Sequence, residues 1–130
     1  MTAVLDASAV LTLLYREPGH ELVAELLDGA VISAVNWSEV VQKLAQRGVP
    51  DPAAVTAGLL ALGADVLSFG RDDAEAAAAL WPAGRARGLS LGDRACLAVA
   101  KAVPSGFAVT ADGAWSDVEA AVEIRVIRGG

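Results

Sequence analysis

The sequence is poor in the residues that form disulfides and bind soft metals. Its 130 residues include one cysteine, Cys96, and one histidine, His20. A single cysteine excludes an internal disulfide and fits a cytoplasmic location. Cys96 is therefore expected to be a small core residue. Because neither residue type recurs at a metal-ligand spacing, the sequence argues against a zinc site.

Long apolar runs and aromatic residues are also scarce. No apolar stretch approaches the roughly 18 residues of a membrane-spanning helix, and no basic segment of a signal peptide precedes the first apolar run. Aromatic residues make up 5% of a chain that is 55% hydrophobic, so we expect an aliphatic core. The length is that of one domain, expected to span residues 1–130.

Positive charge is in the minority. Ten basic residues face sixteen acidic ones, and the net charge of −6 argues against a protein that coats nucleic acid through a basic face. If four acidic residues form one metal site, the remainder carries −6 minus −4, or −2. Most of the excess acidity would then be local.

Short apolar runs alternate with helical patterns along the chain. We predict strands at 3–5, 30–32, 64–68, 107–110 and within 121–127. We predict helices over 8–15, 20–27, 34–46, 53–62, 72–80 and 90–103, with Ser8 and Ser33 as caps of two of them. This alternation indicates an α/β fold, with a mostly parallel sheet of about five strands and helices on both faces.

Two carboxylates follow predicted strands. Asp6 ends the first strand, and Asp112 comes two residues after the fourth. In a parallel sheet both lie at the carboxyl edge, where α/β proteins bind ligands. Asp6 has an equally good structural explanation, since Asp is common at helix starts.

Two further carboxylates lie in predicted helices. Asp93 has the S-x-x-D spacing of a capping box with Ser90, which alone would explain it. Glu39 lies beside two apolar residues of its helix and one turn before Lys43, its alternative partner in a surface ion pair. The functional interpretation requires all four carboxylates to lie within one pocket, close enough to share one or two ions.

Converging carboxylates repel one another unless protons or cations neutralise them. No Lys or Arg adjoins Asp6 or Asp112 in the sequence. A set of oxygen ligands favours Mg²⁺ or Mn²⁺, and these ions bind phosphate oxygens and activate water. The carboxylates therefore indicate a reaction at phosphorus.

Four segments together resemble the PIN-domain ribonucleases, and most of all their bacterial VapC-like toxins. They are residues 4–8, 35–39, 89–98 and 110–115, so the resemblance extends over almost the whole chain. It implies the three-layer PIN fold and a metal-dependent endoribonuclease that cleaves RNA with a metal-activated water. It also implies a 5′-phosphate and a 3′-hydroxyl product, a cognate antitoxin and a homodimer.

The resemblance also implies roles for individual residues. The catalytic and metal-binding residues would be Asp6, Glu39, Asp93 and Asp112. The polar residues that orient them would be Ser8, Asn36 and Thr110, with Asp117 as a further acid or a substitute for Asp112. An acidic pocket favours inhibition by an antitoxin arginine, whose planar guanidinium binds carboxylates bidentately.

Two other functions stay open at this point. A receiver-like or phosphatase-like domain that transfers a phosphoryl group to aspartate also places Asp after strand one. The receiver pattern requires a second acid there and a Lys after strand five, and the phosphatase pattern requires D-x-D where this chain has Asp6-Ala-Ser8. The other alternative is a PIN-like scaffold that only binds a partner.

Overall fold

A five-stranded parallel sheet forms the middle of the molecule. The computed structural model describes residues 1–128; Gly129 and Gly130, the end of the expected domain, lie outside the described residues. The strands are β1 (Thr2–Leu5), β2 (Val31–Ser33), β3 (Asp65–Leu67), β4 (Gly106–Thr110) and β5 (Glu123–Val126). Their order is β3-β2-β1-β4-β5, and every pair is parallel. β3 and β5 therefore form the two edges of the sheet.

Helices fill the connections between the strands. They are α1 (Ala7–Leu14), α2 (His20–Leu26), α3 (Ala34–Gln46), α4 (Pro52–Ala61), α5 (Arg71–Ala79), α6 (Trp81–Gly84) and α7 (Leu91–Ala102). Short 3-10 turns cover Arg85–Arg87 and Gly113–Trp115. Within residues 1–128, no helix has the length and apolar character needed to cross a bilayer.

The sheet separates two aliphatic cores. Because successive side chains of a strand point to opposite faces, Ala3 and Leu5 of β1 pack in one core and Val4 packs in the other. The first core includes residues of α1, α3 and α4, and the second includes residues of α5 and α7. Trp115 is fully buried in the second core. The predicted three-layer α/β fold is confirmed.

The strand order determines where a ligand can bind. From β1 the chain adds β2 and β3 on one side, then crosses to place β4 and β5 on the other. The order therefore reverses between β1 and β4, and the crevice outside their carboxyl ends is the usual ligand site of such sheets. Asp6 follows β1 directly, and Asp112 comes two residues after the end of β4.

The helix starts confirm one predicted cap and correct another. Ser33 caps α3, because its Oγ accepts a hydrogen bond from the Asn36 N–H at 3.1 Å. The prediction that Ser8 caps α1 is wrong. Asp6 is the N-cap, since its Oδ1 accepts from the Ala9 N–H at 2.8 Å, and Ser8 lies inside the helix.

Candidate active site

Four acidic side chains from separate parts of the chain line one pocket of about 200 Å³. Asp6 follows β1, Glu39 lies in α3, Asp93 lies in the first turn of α7, and Asp112 follows β4. The topology thus brings together residues that are far apart in sequence, at the edge where the strand order reverses. The four predicted site residues share this pocket; their role as metal ligands stays a prediction.

Asp6 is the most buried member of the group, with 4% of its surface exposed. Its Oδ1 accepts from Ser8 Oγ at 2.7 Å as well as from the Ala9 N–H, and its Oδ2 accepts from Thr110 Oγ1 at 2.6 Å. Burial raises the pKa of Asp6 from 3.8 to about 6, and these hydrogen bonds limit the rise. The negative charge of Asp93 contributes to it.

This raised pKa means that the ionised form of Asp6 costs stability. The folded state keeps the proton up to about pH 6, whereas in the unfolded state Asp6 loses it near 3.8. The stability that the protonated form contributes is fully present below pH 3.8 and is lost as the pH rises to about 6. Near neutral pH the cost is on the order of 3 kcal/mol, which a cation beside Asp6 would offset.

Glu39 is held towards the pocket by a chain of polar contacts. Ser33 Oγ donates to the side-chain oxygen of the buried Asn36 at 2.8 Å. Asn36 Nδ2 donates to Glu39 Oε1 at 2.8 Å and to the Gly92 carbonyl at 3.0 Å. Asn36 therefore links α3 to the start of α7 and orients the Glu39 carboxylate between them.

Gly92 makes room for this carboxylate, and the sequence analysis did not identify it. A Cβ at residue 92 would lie 2.2 Å from Glu39 Oε1 and 2.6 Å from its Oε2. Any side chain there would displace the Glu39 carboxylate. The signal in the sequence is a glycine in the first turn of a helix, next to Asp93, where a better helix former would be expected.

Asp93 and Asp112 each combine a helix-start contact with a place in the pocket. Asp93 Oδ2 accepts from the Ser90 N–H at 2.9 Å, and Ser90 Oγ accepts from the Asp93 N–H at 3.2 Å, so the predicted capping box is present. Asp112 Oδ1 accepts from the Ala114 N–H at 2.9 Å, and its own N–H donates to Thr110 Oγ1 at 3.0 Å. Thr110 thus connects Asp112 to Asp6.

Asp117 is not among the residues that line this pocket. It is an exposed residue, and its carboxylate is paired with Arg87. Trp115, three residues after Asp112, is buried in the second core, whereas Asp117 lies on the surface. Of the two candidates, Asp112 is therefore the acid that lines the pocket.

Lys43 also lines the pocket. From the sequence alone, Lys43 was expected only as a surface partner of Glu39. Within residues 1–128 it makes no ion pair within 4 Å with any carboxylate. Its spacing, one turn after Glu39 on the same helix face, is the signal that could have placed it here.

The carboxylates face a common pocket without converging on one point. Within the described residues, no three acidic, histidine or cysteine side chains are arranged to hold one ion. Each carboxylate instead bonds to a local partner: the Ala9, Ser90 and Ala114 N–H groups for the aspartates and Asn36 for Glu39. The ligand chemistry nevertheless fits Mg²⁺ or Mn²⁺, because four carboxylates line the pocket and one of them, Asp6, is buried.

Comparison with protein families assigns this fold. The model of the PIN domain matches residues 3–121, which is most of the chain. The chain belongs to the PIN domain family. The resemblance inferred from the four segments is confirmed. A comparison with curated protein sequences finds no significant match.

Solved structures share the fold of this PIN domain at low sequence identity. A toxin–antitoxin complex from Klebsiella pneumoniae has a chain with 18% identity and a TM-score of 0.72, covering 96% of this chain and 97% of that one. A chain of the DNA-bound VapBC of Salmonella typhimurium has 16% identity and a TM-score of 0.73, and the match covers 98% of both chains. A chain of FitAcB of Neisseria gonorrhoeae has 21% identity and a TM-score of 0.70, and the match covers 96% of this chain and 97% of that one.

Proposed function

We propose that this PIN domain is a Mg²⁺- or Mn²⁺-dependent endoribonuclease that acts in the cytosol as the toxin of a toxin–antitoxin pair. The observation that carries the proposal is the pocket at the carboxyl edge of the sheet, lined by the carboxylates of Asp6, Glu39, Asp93 and Asp112. Membership of the PIN family supports it. The toxin–antitoxin complexes that share the fold support the assignment as a toxin.

The residues of the pocket would have different roles in binding the metal ion and orienting its ligands. Asp6, Asp93 and Asp112 would have to turn towards a common ion to hold the principal metal, since no three carboxylates of the described residues surround one point. Glu39 would hold a second ion or orient the attacking water. The bound ion supplies the positive charge that activates water and neutralises the phosphate. Ser8 and Thr110 orient the Asp6 carboxylate, and Asn36 orients that of Glu39, through the contacts described above.

The strand order argues against the receiver-like form of the phosphoryl-transfer alternative. In receiver domains the order is β2-β1-β3-β4-β5, so β1 pairs with β2 and β3. In this chain β1 pairs with β2 and β4. The phosphatase pattern requires D-x-D after β1. In this chain Ser8 stands in place of the second Asp and donates a hydrogen bond to Asp6.

Cleavage of RNA by the purified protein tests the proposed activity. With single-stranded RNA and Mg²⁺ or Mn²⁺, we expect internal cleavage that leaves 5′-phosphate and 3′-hydroxyl ends, and no cleavage in EDTA. Labelling of the product ends distinguishes this reaction from cleavage through the 2′-hydroxyl, which leaves a cyclic phosphate. Cleavage that persists in EDTA would contradict the metal dependence, and absence of cleavage with either ion would favour the scaffold alternative.

We also propose that the cognate antitoxin inserts an arginine into the acidic pocket. The guanidinium would bind a carboxylate bidentately and replace the charge of the metal ion. Substitution of that antitoxin arginine by alanine should restore RNA cleavage while the complex still forms, because apolar contacts supply most of the affinity. Full inhibition after loss of every antitoxin arginine would refute this mode of control.

We propose further that residues 1–130 form a single domain that assembles as a homodimer. Both cores are built on the same sheet, so no boundary divides the described residues. Several large apolar side chains are exposed and available to an interface, including Leu62 at 65% and Trp81 at 52%. The molar mass of the purified protein in solution tests the dimer, and a monomer at all concentrations would refute it.

A further inference from the structure

Basic and aromatic side chains continue outward from the acidic pocket along α1 and α3. Leu11 of α1 and Lys43 of α3 line the pocket. Four residues after each, Tyr15 caps the C-terminus of α1 and Arg47 that of α3. The Arg47 guanidinium lies 4.4 Å from the centre of the Tyr15 ring. We call Lys43, Arg47 and Tyr15 the strip; it begins at the pocket and ends at this stacked pair, one helical turn further on.

The two cations of this strip do not form ion pairs with neighbouring carboxylates. Within residues 1–128, neither Lys43 nor Arg47 makes an ion pair within 4 Å. Both residues are exposed, and so is Tyr15, with 39% of its surface accessible. The chain as a whole has a net charge of −6, but the surface that carries these two unpaired cations is positively charged.

Charge counting explains why a polyanion would need this strip. The four carboxylates that line the pocket sum to −4. One divalent cation would leave −2, so the pocket would still repel a phosphodiester. Lys43 at the pocket and Arg47 one turn beyond it would offset this remaining charge and attract RNA.

We propose that Lys43, Arg47 and Tyr15 form a track that holds single-stranded RNA as it leaves the acidic pocket. Lys43 binds the phosphate nearest the pocket, and the Tyr15 ring with the Arg47 guanidinium takes the next base and its phosphate. Positive grooves with interleaved aromatic rings are how proteins bind single strands without reading sequence. The inference rests on the proposed function and names the path of its substrate.

A purely structural explanation of the same residues makes a different prediction. Cations in the last turn of a helix stabilise its dipole, which would account for Lys43 and Arg47 on α3. The Arg47–Tyr15 contact would then be ordinary surface packing. That explanation predicts small losses of thermal stability on substitution and no change in RNA binding.

RNA binding without chemistry separates the two explanations. The Asp6→Asn protein in EDTA is titrated with a short, unstructured, fluorescently labelled RNA at several salt concentrations. Removal of one phosphate contact should reduce the slope of log K against log salt concentration by about 0.7 in magnitude. We expect this loss for Lys43→Met and for Arg47→Met, and about twice this loss for the double variant.

Matched variants control for loss of charge and of the aromatic ring. The chain has one other lysine, Lys101 at the end of α7, so Lys101→Met removes the same charge away from the strip. Arg71→Met does the same for an exposed arginine on α5. Both should leave the salt slope unchanged. Tyr15→Ala should weaken RNA binding about fivefold or more, and Tyr15→Phe, which keeps the ring, should not.

The results distinguish failure of the track from failure of the proposed function. Salt slopes of the strip variants equal to those of Lys101→Met would overturn the track, even if the wild-type protein cleaves RNA. Reduced slopes in a protein that never cleaves RNA would support the track and refute the nuclease. Unchanged RNA binding with an altered molar mass would show instead that the strip is an interface between copies of the chain.

Discussion

Asp6→Asn is expected to lower the rate of RNA cleavage more than 100-fold. Loss of a residue that only orients a metal ligand typically costs 10- to 100-fold, and Asp6 is proposed as a ligand itself. Asn keeps the size of the side chain and can still accept from the Ala9 N–H and Ser8, but it removes the buried negative charge. Rates measured with saturating Mn²⁺ test this; a loss of less than about tenfold would contradict the assignment.

The stability of the same variant shows whether it is folded. Because the pKa of Asp6 is raised to about 6, the ionised carboxylate destabilises the metal-free wild-type protein above that pH. Asp6→Asn should therefore be more stable than the wild type in urea denaturation at alkaline pH without metal. The difference should shrink as the pH falls below 6 and the wild-type carboxyl becomes protonated. A variant that is less stable at every pH would attribute the lost activity to misfolding.

Gly92→Ala is expected to lower cleavage about 10- to 100-fold with little change in stability. The new Cβ would lie 2.2 Å from Glu39 Oε1, so the carboxylate must leave its position beside Asn36. The clash is with the end of a flexible side chain, which can rotate into the pocket or solvent. Alanine is also the better helix former by roughly 1 kcal/mol, which offsets the displacement.

Gly58→Ala is the matched control for this substitution. Gly58 lies within α4, and a Cβ there meets no atom within 4 Å. It should gain up to about 1 kcal/mol in urea denaturation and leave cleavage unchanged. Wild-type cleavage by Gly92→Ala would show that the position of Glu39 is not required. A large loss of stability would show that Gly92 serves packing rather than the site.

The sequence predicted the secondary-structure elements and the α/β class better than the order of the strands and the residues that cap the helices. Alternating apolar runs and helical patterns determined the α/β class, and most element bounds were correct within one or two residues. The order of the strands could not be derived, because any parallel order satisfies the same alternation. The cap of α1 was missed because both Asp6 and Ser8 can accept a backbone N–H, and only the backbone geometry decides between them.

The site was predictable where it depends on strand ends and not where it depends on helix packing. Asp6 and Asp112 follow β1 and β4, so the topology alone places them together. The role of Gly92 depends on the approach of α7 to α3, which Asn36 spans across 56 residues of chain. Asp117 is only five residues from Asp112, yet it pairs with Arg87 outside the pocket, and its sequence position gave no sign of this.

Mn²⁺ binding to the metal-free protein tests most directly whether the four carboxylates act as one metal site. The titration is performed by calorimetry above the folded-state pKa of Asp6, about 6, on the wild type and on Asp6→Asn. We predict that the wild type binds Mn²⁺ and gains about 2.7 kcal/mol of stability at a free concentration 100 times the Kd. Asp6→Asn should lose most of both effects. Absence of Mn²⁺ binding to the wild type, or equal binding to the variant, would contradict the shared metal site.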